Sequence, residues 1–587
     1  MIRINPQDLL RLIALNNASV EEEEEDDEDD YGYYPPHDAE AESIFEDVAE
    51  PQQAGLELLQ SGEFGRVGHQ YKSRDQENNI AKTLMDRGTK LRPTPREDVA
   101  SDLVPNSNGV GVAQYSANAY VGQYSSDSSF YYTCVRDFRL HVYDTTAPIK
   151  PSNPIAAQIS PGHISTMKHI KTIRAYADRW TITDSHLSPD NQRMIYATVS
   201  NNVYMASTLD TSTDTRIINF SDRIRRTRGG YTYMDDDDQY GIWSCKFSAD
   251  GNEIVAGGRE MIFVYDLIAD RRTVKIPAHE DDINSCCWAD TASGNVLVSA
   301  SDDTFLKVWD RRSLGSSQKP SGVLIGHTEG ITYVSAKGDG RYVISNGKDQ
   351  VLRLWDLRNM RSTLDWESVR RQSYGIPHWD YRTNSYPRPR YRAHPMDCSV
   401  MKYHGHSVLR TLIRCHFSPA ETTGSQYIYS GSADGQIHIW SLDGRVVQTL
   451  NRCASLSMTH DPSGPEVQLE TPPRRRVTVR DVSWHSQQPI LMSAGWLGDG
   501  WSSREGSVIA RHEWKGLSKM RYSLEDYVGR QVSERAERAQ RRNRALEGYP
   551  IPGHYSSDDD EWETDEGDGD YVDEEASSQD DEDEDDE

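Results

Sequence analysis

From about residue 111 to residue 515, short apolar runs alternate with clusters of turn-forming residues. Within many of these runs, apolar and polar positions alternate with a period of two, which is the pattern of half-buried β-strands. The clusters between the runs contain Gly, Asp, Asn and Ser, the residues that tight turns favour. The pattern predicts an all-β region built from many short strands.

Three segments, 278–312, 326–358 and 405–442, repeat one order of features. Each begins with a His that follows a small residue, continues through a strand that ends near a Ser, and turns at an Asp. Each then closes with a strand that ends in Trp. A four-stranded unit that recurs with a period of roughly 40–45 residues is typical of the blade of a WD-repeat β-propeller.

The spacing inside these repeats is a stricter test than their appearance. In each repeat an Asp lies six residues before the closing Trp, and a Ser lies ten residues before it. Together with the His, these side chains can satisfy one another's hydrogen bonds inside a blade. The sequence therefore predicts three structural tetrads: His279, Ser299, Asp303 and Trp309; His327, Ser345, Asp349 and Trp355; His406, Ser430, Asp434 and Trp440.

Four weaker repeats flank the three clear ones, at 121–144, 180–207, 241–267 and 479–496, and the last resumes after an insertion near 497–504. The total of seven suits a closed ring that leaves no open sheet edge. The predicted fold is therefore an all-β, seven-bladed WD-repeat propeller over residues 111–515. A segment at 360–403, rich in Arg, Tyr and Trp, is predicted as an insertion between the fifth and sixth repeats, either a functional loop or disordered.

The chain ends differ from the propeller region. Residues 1–20 predict a short amphipathic helix, capped by Asn5, with Leu9, Leu10, Leu12 and Ile13 on one face. Residues 21–110 are predicted to be acidic and largely disordered, with a weak helix at about 75–90. A helical extension over 516–548 and an acidic, disordered tail over 549–587 follow the propeller.

The negative charge is confined to two tracts. All ten residues from 21 to 30 are acidic, and the last thirty residues contain twenty acids and no Lys or Arg. Without these tracts, 63 acidic residues stand against 64 basic ones, so the net charge of −29 does not describe the folded body. A near-neutral body does not indicate direct nucleic-acid binding.

The seven cysteines include no CxxC pair, and Cys245, Cys286, Cys287 and Cys415 lie in apolar runs, as expected of reduced core thiols in an intracellular protein. The sequence has no apolar run long enough for a membrane span and no recognisable signal peptide. We therefore expect no membrane contact and a location in the nucleus and cytoplasm.

Catalysis is not indicated. Asp, His and Ser occur together in each clear repeat, but three copies at one spacing beside a Trp suit a repeated scaffold better than a catalytic triad. The sequence lacks the G-x-S-x-G, G-x-G-x-x-G, P-loop and H-E-x-x-H patterns. We expect a protein that is not an enzyme and that uses no cofactor and no catalytic metal.

The most informative motif is a Trp-Asp-x-Arg box that closes two adjacent repeats, at Trp309–Arg312 and Trp355–Arg358. Arg312 and Arg358 are predicted to stand at the rim of the ring, where a forked guanidinium group can bind a partner. The alternative is that Asp-x-Arg only closes a turn. Trp379–Arg382 has the same four-letter form but lacks the upstream Asp, and the sixth repeat lacks the Arg.

The doubled box resembles that of receptors that dock on the cullin-4 ligase adaptor, damage-specific DNA-binding protein one. The order of KVWDRR, YVISNGKDQ, HGHSVLRTLIRCHFSP and VRDVSWH is similar to that of the cullin-4-associated factor family also called WD repeat protein twenty-three, with its plant and fungal relatives. The resemblance covers about 110–496. It implies a substrate receptor that presents proteins to a cullin-4 ubiquitin ligase.

The resemblance implies roles for particular residues. The adaptor-binding set would be Trp309, Asp310, Arg312, Trp355, Asp356 and Arg358, together with Leu9, Leu10, Leu12 and Ile13 inserted into a groove of the adaptor. The opposite face or the central mouth would hold the substrate, and the possible substrate-facing residues are Trp366, Trp379, Tyr381 and Tyr391. The alternative function is a WD-repeat scaffold in another nuclear assembly, such as chromatin or ribosome biogenesis.

Overall fold

The computed structural model describes most of the propeller region and one segment before it. The described residues are 45, 48, 50–65, 103–153, 155, 157–176, 180–221, 226–228, 231–233, 240–314, 318–383, 385–465, 476–498 and 506–516. The predicted helix at 1–20 with Leu9, Leu10, Leu12 and Ile13, the weak helix at 75–90 and the tail at 549–587 lie outside them. So does the predicted extension at 516–548, apart from its first residue.

The described strands form seven antiparallel sheets arranged as the blades of a propeller, together with one separate hairpin. Blade one consists of β2 (Ala119–Tyr124), β3 (Phe130–Val135), β4 (Arg139–Asp144) and β7 (Lys168–Arg174). The strands β1 (Val110–Tyr115), β5 (Gln158–Ser160) and β6 (His163–Ser165) belong to the sheet of the last blade. Blade two consists of β8 (Ile182–Leu187), β9 (Arg193–Thr198), β10 (Asn202–Ser207) and β11 (Thr215–Asn219), and the hairpin of β12 (Arg226–Arg228) and β13 (Tyr231–Tyr233) follows.

Blades three to seven continue in chain order. Blade three has β14 (Ile242–Phe247), β15 (Glu253–Asp266) and β16 (Arg271–Asp282), and blade four has β17 (Ser285–Trp288), β18 (Val296–Ala300), β19 (Leu306–Asp310) and β20 (Gly322–Leu324). Blade five has β21 (Ile331–Ala336), β22 (Tyr342–Gly347), β23 (Leu352–Asp356) and β24 (Met401–Tyr403), and blade six has β25 (Cys415–Phe417), β26 (Tyr427–Gly431), β27 (Gln436–Ser441) and β28 (Val446–Asn451). Blade seven has β29 (Val477–Trp484), β30 (Ile490–Leu497) and β31 (Ser507–Glu513).

The described residues also include three helices and two 3₁₀ turns, of which α1 precedes the strands and the others lie between them. They are α1 (Gln53–Gln60), α2 (Thr363–Val369) and α3 (Ala420–Thr423), with 3₁₀ turns at Leu357–Asn359 and Arg452–Ala454. In α2 the Ser362 side chain accepts from the backbone N–H of Asp365, whose own side chain accepts from the backbone of Ser362. This reciprocal cap stabilises the start of a helix too short to persist alone.

The blades pack face to face, so the middle strands are buried on both sides. Every residue of β22 and β29 is buried, and Trp309, Trp355 and Trp440 are among the largest fully buried side chains. A strand covered on both faces has little need for strict alternation, because no side chain points into solvent. The strongest blades therefore appear in the sequence as nearly continuous apolar runs.

The ring closes through a strand from the start of the propeller. β1 pairs antiparallel with β31, with Val110 opposite Arg511 and Tyr115 opposite Ser507, so the last blade combines three late strands with one early strand. β6 in turn pairs with β1 and covers its other edge. This pairing holds the two ends of the propeller together and removes an open sheet edge.

The structure corrects the placement of the insertion. β24 pairs with β23, with Tyr403 opposite Leu352, so residues 401–403 are the fourth strand of blade five. The insertion therefore lies inside blade five, between its third and fourth strands, and not between repeats five and six. A strand of three residues carries too little pattern to be recognised in the sequence, which is why the predicted boundary at 403 was wrong.

The sequence also gave no sign of α1. The region 21–110 was predicted as largely disordered, yet α1 and the residues after it pack on the propeller, with Leu58 and Phe64 buried among side chains of blades five and six. An eight-residue helix has little stability of its own, so these tertiary contacts hold it in place.

Candidate functional site: two opposite faces of the propeller

Strand order assigns each turn to one of two faces. In a four-stranded antiparallel blade, the turns between strands one and two and between strands three and four lie at the same end. We call this the box face, because the Asp-x-Arg boxes lie on its third-to-fourth turns. The turns between strands two and three and the connections between blades lie at the other end, which we call the mouth face.

The box of blade four presents one exposed guanidinium group. Asp310 accepts hydrogen bonds from the backbone N–H of Arg312 at 3.0 Å, from its Nε at 3.0 Å and from its Nη2 at 2.7 Å. The Arg312 side chain is still 69% exposed. The hydrogen bonds from Arg312 lower the pKa of Asp310, so the carboxylate is charged when it holds the guanidinium.

The box of blade five repeats this arrangement with one addition. Asp356 accepts from the Arg358 backbone at 3.0 Å and from its Nη2 at 2.8 Å, and the Arg358 side chain is 65% exposed. Asp356 also accepts from Arg341, at 3.0 Å from Nε and 2.9 Å from Nη2. Burial raises the pKa of Asp356, although the two hydrogen bonds and the charge of Arg341 act in the opposite direction.

The structure shows the turn closure that one interpretation of the box predicts, and it leaves the arginine accessible, as the other requires. The aspartate closes the turn, and the arginine remains exposed on the box face of two adjacent blades. Trp309 and Trp355 were also predicted to bind the adaptor, but both are buried and bonded inside their blades. A side chain without accessible surface cannot touch a partner, so their part in the box is structural.

Two of the predicted tetrads are present. His279 lies 2.8 Å from Asp303 and 2.7 Å from Ser299 Oγ, which also accepts from Trp309 Nε1 at 3.0 Å. His327, Ser345, Asp349 and Trp355 form the same network, with the Trp355 Nε1 donating to Ser345 Oγ at 2.8 Å. Burial lowers the pKa of His279 and of His327 although the aspartates oppose it, so both imidazoles are neutral at pH 7.

The third predicted tetrad, His406, Ser430, Asp434 and Trp440, does not form. His406 Nε2 donates to Asn346 Oδ1 of blade five at 2.7 Å, and Trp440 Nε1 donates to the carbonyl of His404 at 2.9 Å. Ser430 Oγ donates to backbone carbonyls, and Asp434 accepts from the Gln436 backbone at 2.9 Å.

The neighbouring blade explains this difference. Asn346 follows Ser345 just as Ala300 follows Ser299 one blade earlier. An alanine offers no acceptor, whereas the Asn346 amide oxygen binds His406 and draws its ring away from Ser430. The residue that decides the network belongs to another repeat, so the spacing rule within one repeat could not find it.

The mouth face has a cavity of about 1050 Å³ at its centre. Carboxylates from blades four and five and guanidinium groups from blades six, seven and one contribute to its lining. Its aromatic lining consists of Tyr120, Trp180, Trp243, Trp379, Tyr381 and Trp496. Trp180 is 54% exposed. Aromatic rings and arginines, both present in this lining, are enriched in protein-binding surfaces.

The insertion of blade five reaches this cavity. It leaves the box face beside blade four, where Arg361 exchanges backbone hydrogen bonds with Val323, and it supplies Trp379 and Tyr381 to the mouth. The Lys348 ammonium lies 4.2 Å from the centre of the Tyr381 ring. Two of the four predicted substrate-facing residues therefore lie where a ligand of the mouth would touch them.

The other two lie elsewhere. Trp366 packs edge to face on Phe305, with the Lys307 ammonium 4.0 Å from its ring centre, so it anchors the insertion to blade four. Tyr391 packs on Tyr374 within the insertion and does not line the mouth. Aromatic composition alone could not separate rings that anchor the insertion from rings that line a cavity.

A buried ion cluster lies at the centre of the propeller, on the innermost strands. Arg414 of blade six donates from Nη2 to Asp184 of blade two at 2.8 Å, and Lys246 of blade three lies 2.9 Å from the same carboxylate. Arg414 Nη1 also lies 3.6 Å from Asp481 of blade seven. Burial alone would raise the pKa of Asp184, but the charges of Lys246 and Arg414 outweigh it and hold that pKa well below its usual value.

This cluster was not among the predicted sites, although the charged residues inside apolar innermost strands are visible in the sequence. Arg414 spans from blade six to blade two and lines a second cavity of about 600 Å³ among turns of the box face. This cavity and the mouth share no lining residue.

No group of three or more His, Cys, Asp or Glu side chains within the described part of the chain has the arrangement of a metal site. In the same part of the chain, no helix is both long and apolar enough to cross a membrane. The cysteines at 245, 286, 287 and 415 are buried and unpaired, and burial raises the pKa of Cys286 to about 12, so this thiol is neutral at pH 7.

The fold and its tetrads define the chain as a seven-bladed WD-repeat propeller. A family model described as "WD domain, G-beta repeat" matches residues 271–310, 318–356 and 398–441. The matches cover the first three strands of blades four, five and six, each together with the last strand of the blade before it. The remaining blades carry degenerate repeats, in agreement with their weak sequence pattern.

Similar proteins extend over more of the chain. "LEC14B protein" of Lithospermum erythrorhizon is 38% identical over 406 residues, which are 68% of this chain and 76% of the relative. "DDB1- and CUL4-associated factor 11 homolog" of Caenorhabditis elegans is 29% identical over 494 residues, 81% of this chain and 77% of the relative. Its Caenorhabditis briggsae counterpart is 37% identical over 285 residues, 47% of each chain. The chain belongs to this CUL4-associated WD-repeat family, which includes LEC14B and DDB1- and CUL4-associated factor 11.

Proposed function

We propose that the protein is a non-catalytic substrate receptor of a cullin-4 RING ubiquitin ligase and that it docks on the adaptor DDB1 through its box face. The observation that carries the proposal is the pair of exposed arginines, Arg312 and Arg358, on equivalent turns of adjacent blades. The names of the two nematode relatives associate those proteins with DDB1 and CUL4.

The geometry suits recognition of a partner. Each guanidinium is already oriented by its aspartate, so little side-chain entropy is lost when a partner binds it. The planar fork keeps further N–H donors for carbonyl or carboxylate groups of the adaptor. Arginine is among the residues that most often dominate the energy of a protein interface. The predicted helix with Leu9, Leu10, Leu12 and Ile13 would add a second contact in a groove of the adaptor.

The substrate would bind at the mouth face, on the side away from the adaptor. Trp379 and Tyr381 would contribute to this surface, and the ion cluster around Arg414 would keep it separate from the box face. Ubiquitin transfer would be carried out by other subunits of the ligase, so the receptor needs no cofactor. We expect the complex in the nucleus and the cytoplasm, without direct contact to nucleic acid or membrane.

The decisive experiment measures binding of the full chain to purified DDB1. We expect Arg312→Ala/Arg358→Ala to weaken binding by roughly tenfold to a hundredfold, as the loss of interface arginines does elsewhere. Arg382→Ala is the matched control, because Trp379–Arg382 has the same four-letter form and Arg382 is similarly exposed, but it lies on the mouth face. Equal binding by the double variant, or no binding by the wild type, would refute the receptor function and favour a scaffold of another assembly.

A further inference from the structure

Residues 50–65 form a strap across the box face at blades five and six. The backbone N–H of Gln52 donates to the carbonyl of Asp443 at 2.9 Å, and that of Gly65 donates to the carbonyl of Gly424 at 3.0 Å. Between these points, Leu58 and Phe64 are buried in the cluster that includes Tyr342 and Leu442. The strap is therefore attached by its backbone at both ends and by apolar packing in between.

Two contacts show how closely the strap follows the propeller surface. A Cβ atom added at Gly55 would lie 2.4 Å from the Cα of Asp443, so only glycine fits where α1 crosses the turn of blade six. The Lys337 ammonium lies 4.2 Å from the centre of the Phe64 ring, and it also donates to the carbonyl of Glu63 at 2.5 Å.

The strap reaches the box of blade five through a chain of charges. Glu63 forms an ion pair with Arg341 and accepts a hydrogen bond from the Tyr342 hydroxyl at 2.5 Å. Arg341 donates two hydrogen bonds to Asp356, and Asp356 holds Arg358. One line of alternating charges therefore joins the strap to the exposed guanidinium of the box.

Blade four provides the internal comparison. The backbone N–H of Arg311 donates to the carbonyl of Asn295, as that of Leu357 donates to the carbonyl of Arg341, so Asn295 and Arg341 are equivalent positions. No side-chain hydrogen bond joins Asn295 to Asp310 among the described residues, and the hydrogen bonds to the Asp310 side chain all come from Arg312. The box of blade four is independent of the strap, whereas the box of blade five is connected to it.

We propose that the strap acts on the adaptor-docking surface through the box of blade five, with Glu63 and Arg341 as positioning residues for Arg358. This inference rests on the proposed function. Arg341 and Arg358 share the carboxylate of Asp356, so the position of Arg341 determines how firmly Asp356 can hold Arg358. Glu63 draws one end of Arg341 towards the strap and balances its charge. Without Glu63, Arg341 would move further onto Asp356 and compete with Arg358 for it.

The test is a double-mutant cycle with purified full-length chain and purified DDB1. We expect Glu63→Gln alone to weaken binding by about threefold to tenfold, as a coupling within one charge network does. In an Arg358→Ala background the same substitution should have no further effect. In an Arg312→Ala background it should reduce binding by the same factor as in the wild type, because the box of blade four has no link to the strap.

A structural role alone would not produce this pattern. If Glu63 only supported folding, Glu63→Gln would weaken DDB1 binding by the same factor in the Arg358→Ala and Arg312→Ala backgrounds, and that result would overturn the inference. An unchanged DDB1 affinity of Glu63→Gln alone would also overturn it. Arg341→Gln provides a second variant on the same line and should also lose its effect in the Arg358→Ala background. Thermal melting of each variant checks that the propeller remains folded.

The outcomes also separate the inference from the proposed function. If the wild type does not bind DDB1, or if Arg312→Ala/Arg358→Ala binds as well as the wild type does, both proposals fail. If binding depends on Arg358 but Glu63→Gln acts independently of it, the receptor function stands and the role of the strap fails.

Discussion

Arg414 on blade six and Asp184 on blade two are joined by a hydrogen bond of 2.8 Å across the centre of the propeller. The two residues are 230 positions apart in the chain, and both side chains are almost completely buried. The bond connects opposite sides of the ring, so it contributes to the closure of the whole propeller and not to any single blade.

Removal of this arginine should destabilise the protein strongly. In Arg414→Met, Asp184 keeps Lys246, but Asp481 loses its only arginine partner among the described residues. Removing one partner of a buried ion pair lowers the free energy of unfolding by about 3–5 kcal/mol, because the other charge stays buried without a counter-charge. Urea unfolding should show this loss. Arg216→Met, which removes an exposed and solvent-screened pair with Asp270, should lower the free energy of unfolding far less, and a similar loss for both variants would contradict the structure.

The formed and unformed tetrads should respond differently to the same substitution. Ser345→Ala removes the hydrogen-bond partner of the His327 Nε2 atom and of the Trp355 Nε1 atom, at a cost of roughly 1–3 kcal/mol for each atom. Ser430→Ala removes hydrogen bonds from a serine that bonds neither His406 nor Trp440, so we expect about 1 kcal/mol. Thermal melting of the two variants in parallel measures the loss of stability of each relative to the wild type. Equal losses would indicate that the third tetrad forms after all.

Buried neutral histidines should make stability fall on mild acidification. Burial, with the charge of Arg452, lowers the pKa of His512 to about 3, and its ring is held by Ser493 and the carbonyl of Ser107. Below the ordinary histidine pKa of about 6.5, the unfolded chain binds a proton that the folded protein does not, so unfolding becomes more favourable as the pH falls.

This group alone should cost about 2 kcal/mol between pH 6.5 and pH 5. Denaturant unfolding at both pH values measures the difference. His512→Asn should reduce the pH dependence over this range, even though it lowers stability at pH 7. A slope identical to that of the wild type would show that the His512 ring is protonated in the folded protein.

The mouth should matter for the substrate and not for the adaptor. Trp180→Ala and Tyr381→Ala remove rings from the lining of the cavity, so we expect less ubiquitin-conjugated protein to co-purify with the receptor at an unchanged level of DDB1. Tyr391→Ala, which removes a similarly partly exposed ring outside the mouth, is the control. Loss of DDB1 from the mouth variants, or equal client recovery in all three, would contradict the assignment of the faces.

The local sequence was sufficient for the parts of the fold that one repeat contains. The tetrads of blades four and five and the Asp-x-Arg turns lie within about 35 residues each, so fixed spacings in one stretch of chain predict their hydrogen bonds. The sequence also predicted that Arg312 and Arg358 are exposed. Each lies in the turn that follows the end of a strand, two residues after the aspartate that closes the turn.

Contacts between repeats were not predictable in this way. Four such contacts are the hydrogen bond between His406 and Asn346, the pairing of β1 with the last blade, the ion pair between Glu63 of the strap and Arg341, and the hydrogen bond between Arg414 and Asp184. Each of these depends on which residues of distant segments meet after the ring has closed, and no spacing within a repeat contains that information. The sequence by itself determined a WD-repeat propeller with two exposed box arginines. The tertiary structure decided how the ring closes, which rings line the mouth and which charges surround Arg358, because those relations arise only when the blades pack against one another.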